Sequence, residues 1–346
     1  MKAALLTKPE QLQITDISEP ELGPDEVKIR VEITGICGSD VEVYHGIYPE
    51  MEFPVIMGHE TAGVVESVGS EVTKVKPGDR VTVEPSWGCG KCYFCNHYKY
   101  FYETSNHCID PRRLGRSVPG SFAEYFKVPE RVVYKLPDNV SFEEAQSNTT
   151  LACIVHGFRR ASPMLGDRVV ILGTGHAGLM ALQVAKVYGA SKVIVVGRRK
   201  EKLDLARSLG ADVTINMKEE DAIKRILEET DGVGPELVFE FTGVPDMFKI
   251  GVMAVKPTGK IMQFGVPAKP GIFELNAIKL MYKEVELVGT ASGRGGYPTA
   301  LYLLSSGKVN VKPFLTHRFK LDDLEKAIEV MDKKIGDPIR VLVSPK

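Results

Sequence analysis

The sequence predicts an α/β plus β chain, with a β-rich, partly closed barrel with long loops joined to a doubly wound parallel sheet. Three observations carry that expectation. The first part holds short segments that alternate apolar and charged residues, as half-buried strands do. From about Asp167 the chain changes to continuous apolar runs separated by amphipathic helices, the pattern of strands buried on both faces. After Gly289 a final helix and strand are expected to return the chain to the first domain.

Each element follows from its local pattern. Residues 27–33 (VKIRVEI) alternate cleanly, and 62–69 and 79–84 look similar. Lys76-Pro77-Gly78-Asp79 between the last two is a turn signal. Ser141 followed by Glu144 has the form of a capping box and should open a helix. Strands are then expected at 169–172, 193–196, 237–241, 260–264 and 285–288, with helices at 178–188 and 200–209. The chain should finish with a helix at 321–331 and a strand at 339–343. The expected domains are 1–150 with 290–346, and 151–289. No internal repeat or low-complexity stretch is visible.

Composition narrows the function classes. A chain of 346 residues can bury two cores, and 43% hydrophobic with 26% charged residues is a globular balance. A formal net charge of −1 gives no global field to recruit nucleic acid or membrane. No apolar run is long enough to span a bilayer, and the N-terminal apolar stretch is too short for a signal peptide. Four of six cysteines fall between Cys89 and Cys108, which suits metal binding in a reducing cytoplasm better than a spread disulfide framework.

Two groups of potential ligands stand close together. Cys37-Gly38-Ser39-Asp40 and Gly58-His59-Glu60 supply thiolate, imidazole and carboxylate from separate segments, as at an open catalytic zinc site. Cys89-x2-Cys92-x2-Cys95 is dense and local, as at a closed structural site. Downstream, Gly173-Thr174-Gly175-His176-Ala177-Gly178 lies between an apolar strand and a helix, the context of a dinucleotide turn. A metal that polarises oxygen, next to a hydride carrier, points to alcohol–carbonyl redox chemistry. The end of the second strand bears on cofactor type. An NAD site usually carries an acid there for the ribose 2′-OH; here the position is Gly197, followed by Arg198, Arg199 and Lys200. A small residue with adjacent guanidinium groups suits a 2′-phosphate, so NADP is expected over NAD. The alternative is that these basic side chains belong to a solvated loop.

These residues together resemble the medium-chain zinc-dependent dehydrogenases, which include alcohol, sorbitol and threonine dehydrogenases. Further marks are Pro54-Val55-Ile56-Met57 before Gly58, Pro77-Gly78-Asp79-Arg80-Val81, and Gly120-Ser121-Phe122-Ala123-Glu124-Tyr125. The resemblance implies a GroES-like barrel joined to a Rossmann domain, with the active site in the cleft between them. It implies Cys37 and His59 as catalytic-zinc ligands and Glu60 as an acid at the metal. Asp40 would accept the other ring N–H of His59, and Ser39 would bond the substrate oxygen and relay its proton. Thr242, Arg294 and Arg340 fall where the family contacts the cofactor. A homodimer or homotetramer is implied as well.

Three departures from the family pattern stand out. A further zinc-ligand position, usually Cys or Glu, falls on Thr149, leaving Cys37, His59 and Glu60 as three protein ligands. The fourth cysteine of the structural lobe is replaced by Glu103, whose carboxylate could complete the set, with Cys108 as second choice. The relay position that is His in several relatives is Glu42; His45 could substitute for it, or be a simple exposed histidine. Arg112, Arg113 and Arg116 precede the Gly120 marker and could bind a substrate carboxylate, or be surface charge. The expected activity is hydride transfer between NADP(H) and a secondary alcohol or ketone, such as a polyol, sugar or sugar acid. The alternatives are an NAD-dependent, threonine-dehydrogenase-like enzyme and a non-catalytic relative with a degraded metal site.

Overall fold

The computed structural model describes residues 1–48, 51–97, 107–267, 271–293 and 295–346. The chain divides into two compact units. One comprises Met1–Ala152, Gly293–Ser305 and Val311–Lys346; the other comprises Cys153–Ser292 and Ser306–Asn310. The first boundary falls inside the helix Asn148–Ala161, which runs from one unit into the other.

The first unit is built on the long strand Glu26–Gly35, whose inward residues Val27, Ile29, Val31 and Ile33 are buried in alternation. It pairs antiparallel with Glu60–Val68 along one edge. Along the other it pairs with Tyr125–Pro129 and then Arg340–Ser344. Arg80–Val83 and Val133–Lys135 extend the sheet at one end, and Leu315–Lys320 at the other. A valine-rich core with Leu114 and Phe126 fills it. A second core packs the helix Leu324–Lys333 against Ile36, Val43, Met57 and Phe122. The last helix is shorter than its apolar pattern suggests, because Leu321–Asp323 form a 3-10 turn before it.

The second unit is a six-stranded parallel sheet. In chain order its elements are β1 (Arg168–Leu172), α1 (His176–Val187), β2 (Lys192–Gly197), α2 (Lys200–Ser208) and β3 (Val213–Asn216). They continue as α3 (Ala222–Glu228), β4 (Leu237–Glu240), α4 (Pro245–Ala254), β5 (Lys260–Gln263), α5 (Ala277–Lys283) and β6 (Glu286–Gly289). The strand order is β3-β2-β1-β4-β5-β6, so the winding reverses beside β1 and its following turn. In such sheets ligands bind beyond the carboxyl ends of the strands at that reversal. The valines and isoleucines of β1 and β2 are fully buried, which accounts for their unbroken apolar runs. Helix α1 begins two residues earlier than periodicity indicates, with Gly175 as its N-cap.

Candidate active site and metal centres

The first ligand group is assembled by a strand end, the short helix that follows it and the start of a second strand. Cys37 is the N-cap of the helix Gly38–Tyr44 and is part-buried. Asp40, three residues on, turns its carboxylate back to accept the Cys37 backbone N–H at 2.9 Å. The other oxygen of Asp40 meets His59 Nδ1 at 3.1 Å. One side chain thus caps the helix and orients the imidazole. His59 Nε2 lies 4.0 Å from Glu60 Oε1. The ligand atoms of Cys37, His59 and Glu60 all lie within 4.8 Å of one another.

Glu60 is braced on both oxygens. Thr150 donates its hydroxyl to Oε1 at 3.0 Å, and the Arg340 guanidinium pairs with Oε2. Arg340 also bonds Gln146 Oε1 and the Ile36 carbonyl, the latter at 3.1 Å, and is only 3% exposed. This corrects the expectation that Arg340 contacts a cofactor phosphate: its guanidinium is occupied by the buried carboxylate of its own unit. His45 is corrected likewise. Its two ring nitrogens bind Glu10 at 2.6 Å and Asp332 at 3.1 Å, so no free nitrogen remains for a proton relay. Thr150 and Gln146 were missed as site residues; the one signal was a polar run, Gln146 to Thr150, just before an apolar helix.

Burial and charge oppose each other in this cluster. Burial pushes the Asp40 carboxyl up, but the His59 charge and hydrogen bond, the Cys37 amide and the Arg116 charge outweigh it and hold it below the usual range. Burial pulls His59 down, but Asp40 and then Cys37 raise it well above an ordinary histidine. Without metal, His59 therefore holds a proton. A divalent ion fits the donor set. With Cys37 as thiolate and His59 neutral, its two charges and that of Arg340 balance Cys37, Asp40 and Glu60. The hydroxyls of Ser39 and Thr149 and the amide of Asn148 are buried with no hydrogen-bond partner among the described residues. Such orphaned groups await a polar occupant.

In the second group Glu103 lies outside the described residues, and Cys108, the second choice from the sequence, stands with Cys89, Cys92 and Cys95, their sulfurs mutually within 4.8 Å. The sulfur of Cys108 accepts the Cys89 amide at 3.2 Å and the Asp110 amide at 3.4 Å. The amides of Cys95 and Ile109 aimed at Cys92 bring its thiol down to about 6, favouring the thiolate that zinc requires. Gly88 leaves room for this packing, since a Cβ there would sit 2.5 Å from Cys95 Sγ.

In the second unit the turn after β1 is built for close approach. Gly173 adopts φ +117, a conformation that favours glycine. A Cβ on it would meet the Thr242 methyl at 2.9 Å, so Thr242 lines the same turn. A Cβ on Gly178 would strike the Gly173 carbonyl, whereas one on Gly175 would enter open space. The α1 N-terminus, with His176 and Ala177 in its first turn, has no side-chain cap at Gly175. Open amides at a helix start suit a pyrophosphate. Gly197, ending β2, packs on Thr174: a Cβ there would lie 2.7 Å from its methyl. Arg198 is exposed, and Arg199 is the N-cap of α2. Thr242 is fixed by Glu240, a fully buried carboxylate that also accepts the Gly243 amide at 2.9 Å and Gln263 Nε2 at 3.0 Å. Arg294 lies outside the described residues.

Comparison with known proteins agrees with this geometry. Residues 23–138 match the family model for the alcohol dehydrogenase GroES-like domain, and residues 177–306 that for zinc-binding dehydrogenases. The chain is 35% identical to a D-arabitol-phosphate dehydrogenase of Enterococcus avium, over 96% of this chain and 94% of that one. It is 37% identical to a sorbitol dehydrogenase of Halalkalibacterium halodurans, over 94% of each. A zinc-binding dehydrogenase structure from Sinorhizobium meliloti, bound to NADP, superposes with TM-score 0.91 at 29% identity, covering 99% of both chains. No helix among the described residues is long and apolar enough to cross a membrane. The chain belongs to the medium-chain zinc-dependent alcohol/polyol dehydrogenases.

Proposed function

We propose that the enzyme interconverts a secondary alcohol of the polyol or sugar-derived class and its ketone, with NADP preferred over NAD. The observation that carries this reading is the part-buried Cys37–His59–Glu60 group with the unpartnered Ser39 hydroxyl beside Cys37 in sequence. In the oxidation, the carbinol carbon gives up a hydride and its hydroxyl a proton. Cys37, His59 and Glu60 would hold a zinc ion that would supply Lewis acidity at the hydroxyl, with the hydride going to the nicotinamide cofactor the second unit would bind. The chain's own residues do the rest. Ser39 Oγ offers the hydrogen bond through which the hydroxyl proton leaves. Asp40 holds the His59 Nδ1 proton, keeping Nε2 as the ligand atom. Arg340 and Thr150 keep the Glu60 carboxylate aimed.

The NADP preference is supported by charge placement. Arg198, Arg199 and Lys200 crowd the start of α2, where the helix dipole is already positive. An added phosphate there relieves that repulsion. The close approach of Gly197 to Thr174 makes Gly197→Asp a poor test, because any side chain strains the turn. Arg198→Ala/Arg199→Ala is the better one. With pentitols, hexitols, their phosphates, sugar acids and L-threonine as substrates, wild type should oxidise a polyol-class compound with NADP. The double variant should lose about 10- to 100-fold in kcat/KM for NADP, with little change for NAD. Turnover confined to threonine with NAD would replace the reading with an amino-alcohol oxidase. No turnover of any substrate would sink it.

A homodimer or homotetramer is proposed too, supported by the exposed Leu287 of β6 and Ile278, Met281 and Tyr282 of α5. A reducing, cytoplasmic setting is supported by six free cysteines.

A further inference from the structure

Arg116 is a cation held in place beside the metal-ligand segments. It lies on a tight loop, closed by the Gly115 amide on the Val118 carbonyl at 2.9 Å and the Arg116 amide on the Arg113 carbonyl at 3.1 Å. That loop presses on the backbone that leads into His59. A Cβ on Gly115 would lie 2.7 Å from the Gly58 carbonyl oxygen, and the Ser121 amide bonds that same oxygen at 3.0 Å. Its guanidinium sits 4.0 Å over the Tyr48 ring and donates to the Tyr48 hydroxyl at 2.5 Å. Tyr48 in turn follows the helix that starts at Cys37, its amide bonded to the Glu42 carbonyl at 3.2 Å. Arg116 therefore bridges the segments that carry Cys37 and His59, and its charge reaches Asp40.

Among the described residues Arg116 forms no salt bridge, in contrast to neighbouring Arg112, which pairs with Asp110 at 3.6 Å. Stacking fixes the plane of the guanidinium and one N–H is spent on Tyr48, leaving further donors in a rigid fork. A pre-oriented, half-buried guanidinium with no carboxylate in salt-bridge contact among the described residues matches a planar or tetrahedral oxyanion.

We propose that Arg116 binds an anionic terminus of the substrate, so that the preferred substrate is a hydroxyl compound ending in phosphate or carboxylate. This rests on the polyol-dehydrogenase reading above. The two relatives described differ on this point, since one is named for a polyol phosphate and the other for a neutral polyol.

The test compares matched pentitol and hexitol sets: neutral polyol, terminal phosphate and the corresponding sugar acid. Wild type should favour an anionic member by about 10- to 100-fold in kcat/KM. The phosphate and acid arms decide which anion is the natural one. Arg116→Gln should remove that preference, lowering kcat/KM for the anionic compound about 10- to 100-fold more than for the neutral polyol, and Arg116→Lys should restore part of it. Calorimetric titration of the better anionic compound should show the same order of affinities without turnover. Turnover of neutral polyols with no anionic preference would overturn the Arg116 assignment alone. So would an equal loss for all substrates in Arg116→Gln without rescue by Lys, since that marks a purely bracing role. No oxidation of any member would overturn the underlying reading and this one with it.

Discussion

Asp40 meets two demands with one carboxylate. Its position three residues after Cys37 makes it the acceptor for the amide at the helix start, and its second oxygen fixes His59. The first role needs only an oxygen, whereas the second needs charge, because it favours the imidazole proton on Nδ1 and leaves Nε2 for metal. Asp40→Asn should therefore keep the fold, with its melting temperature little changed, and weaken zinc binding by about 10- to 100-fold. Competition with a chromogenic chelator measures this, and an unaltered zinc affinity would contradict the role given to Asp40. At this scale the sequence was informative where ligand types cluster in short motifs, as at Cys37 to Asp40 and His59-Glu60. It pointed Arg340 to the cofactor and gave no sign of Glu60, almost three hundred residues away, which Arg340 reaches because the strand Arg340–Ser344 pairs with Glu26–Gly35. An arginine near the end of a chain carries no mark of the carboxylate it will meet.

The cysteine lobe shows the same limit for an element. The Cys-x2-Cys-x2-Cys spacing was readable, because three thiols within so short a segment have few uses in a reducing setting. Counting a family spacing put Glu103 first and Cys108 second as the fourth ligand, and among the described residues it is the Cys108 sulfur that joins the other three. Backbone amides of Cys89 and Asp110 converge on that sulfur, and such convergence depends on loop path rather than on residue count. Two sites per chain should hold about two zinc ions. Cys108→Ser should remove close to one of them and lower thermal stability, and Cys37→Ser should remove the other with a smaller thermal effect. Glu103→Gln should retain both. Metal analysis of the three purified variants separates these outcomes, and a full complement of zinc in Cys108→Ser would refute the four-sulfur site.

For the molecule as a whole, periodicity carried most of the fold. Alternation in 26–35 and the unbroken apolar runs of β1 and β2 are direct consequences of one-sided and two-sided burial, so they could be read without coordinates. Element ends were less readable, because they are set by hydrogen bonds between distant strands: Phe241 reads as strand, yet β4 stops at Glu240, where the buried carboxylate gathers the loop amides. Also hidden was the rim of the parallel sheet. Strand β6 pairs only with β5 among the described residues, and it exposes Leu287 at 44%. The preceding helix α5 exposes Ile278, Met281 and Tyr282 at 62–79%. An open edge with apolar side chains is prone to association unless another chain covers it. The proposed homo-oligomer would bury this rim. Leu287→Lys combined with Ile278→Glu places charge on both elements and should shift the mass measured by light scattering toward the single chain. Zinc content should stay unchanged, since neither residue belongs to the first unit that holds both ligand groups. A wild-type protein that is monomeric at micromolar concentration, or a variant that keeps its wild-type assembly, would show that this rim is not the contact surface.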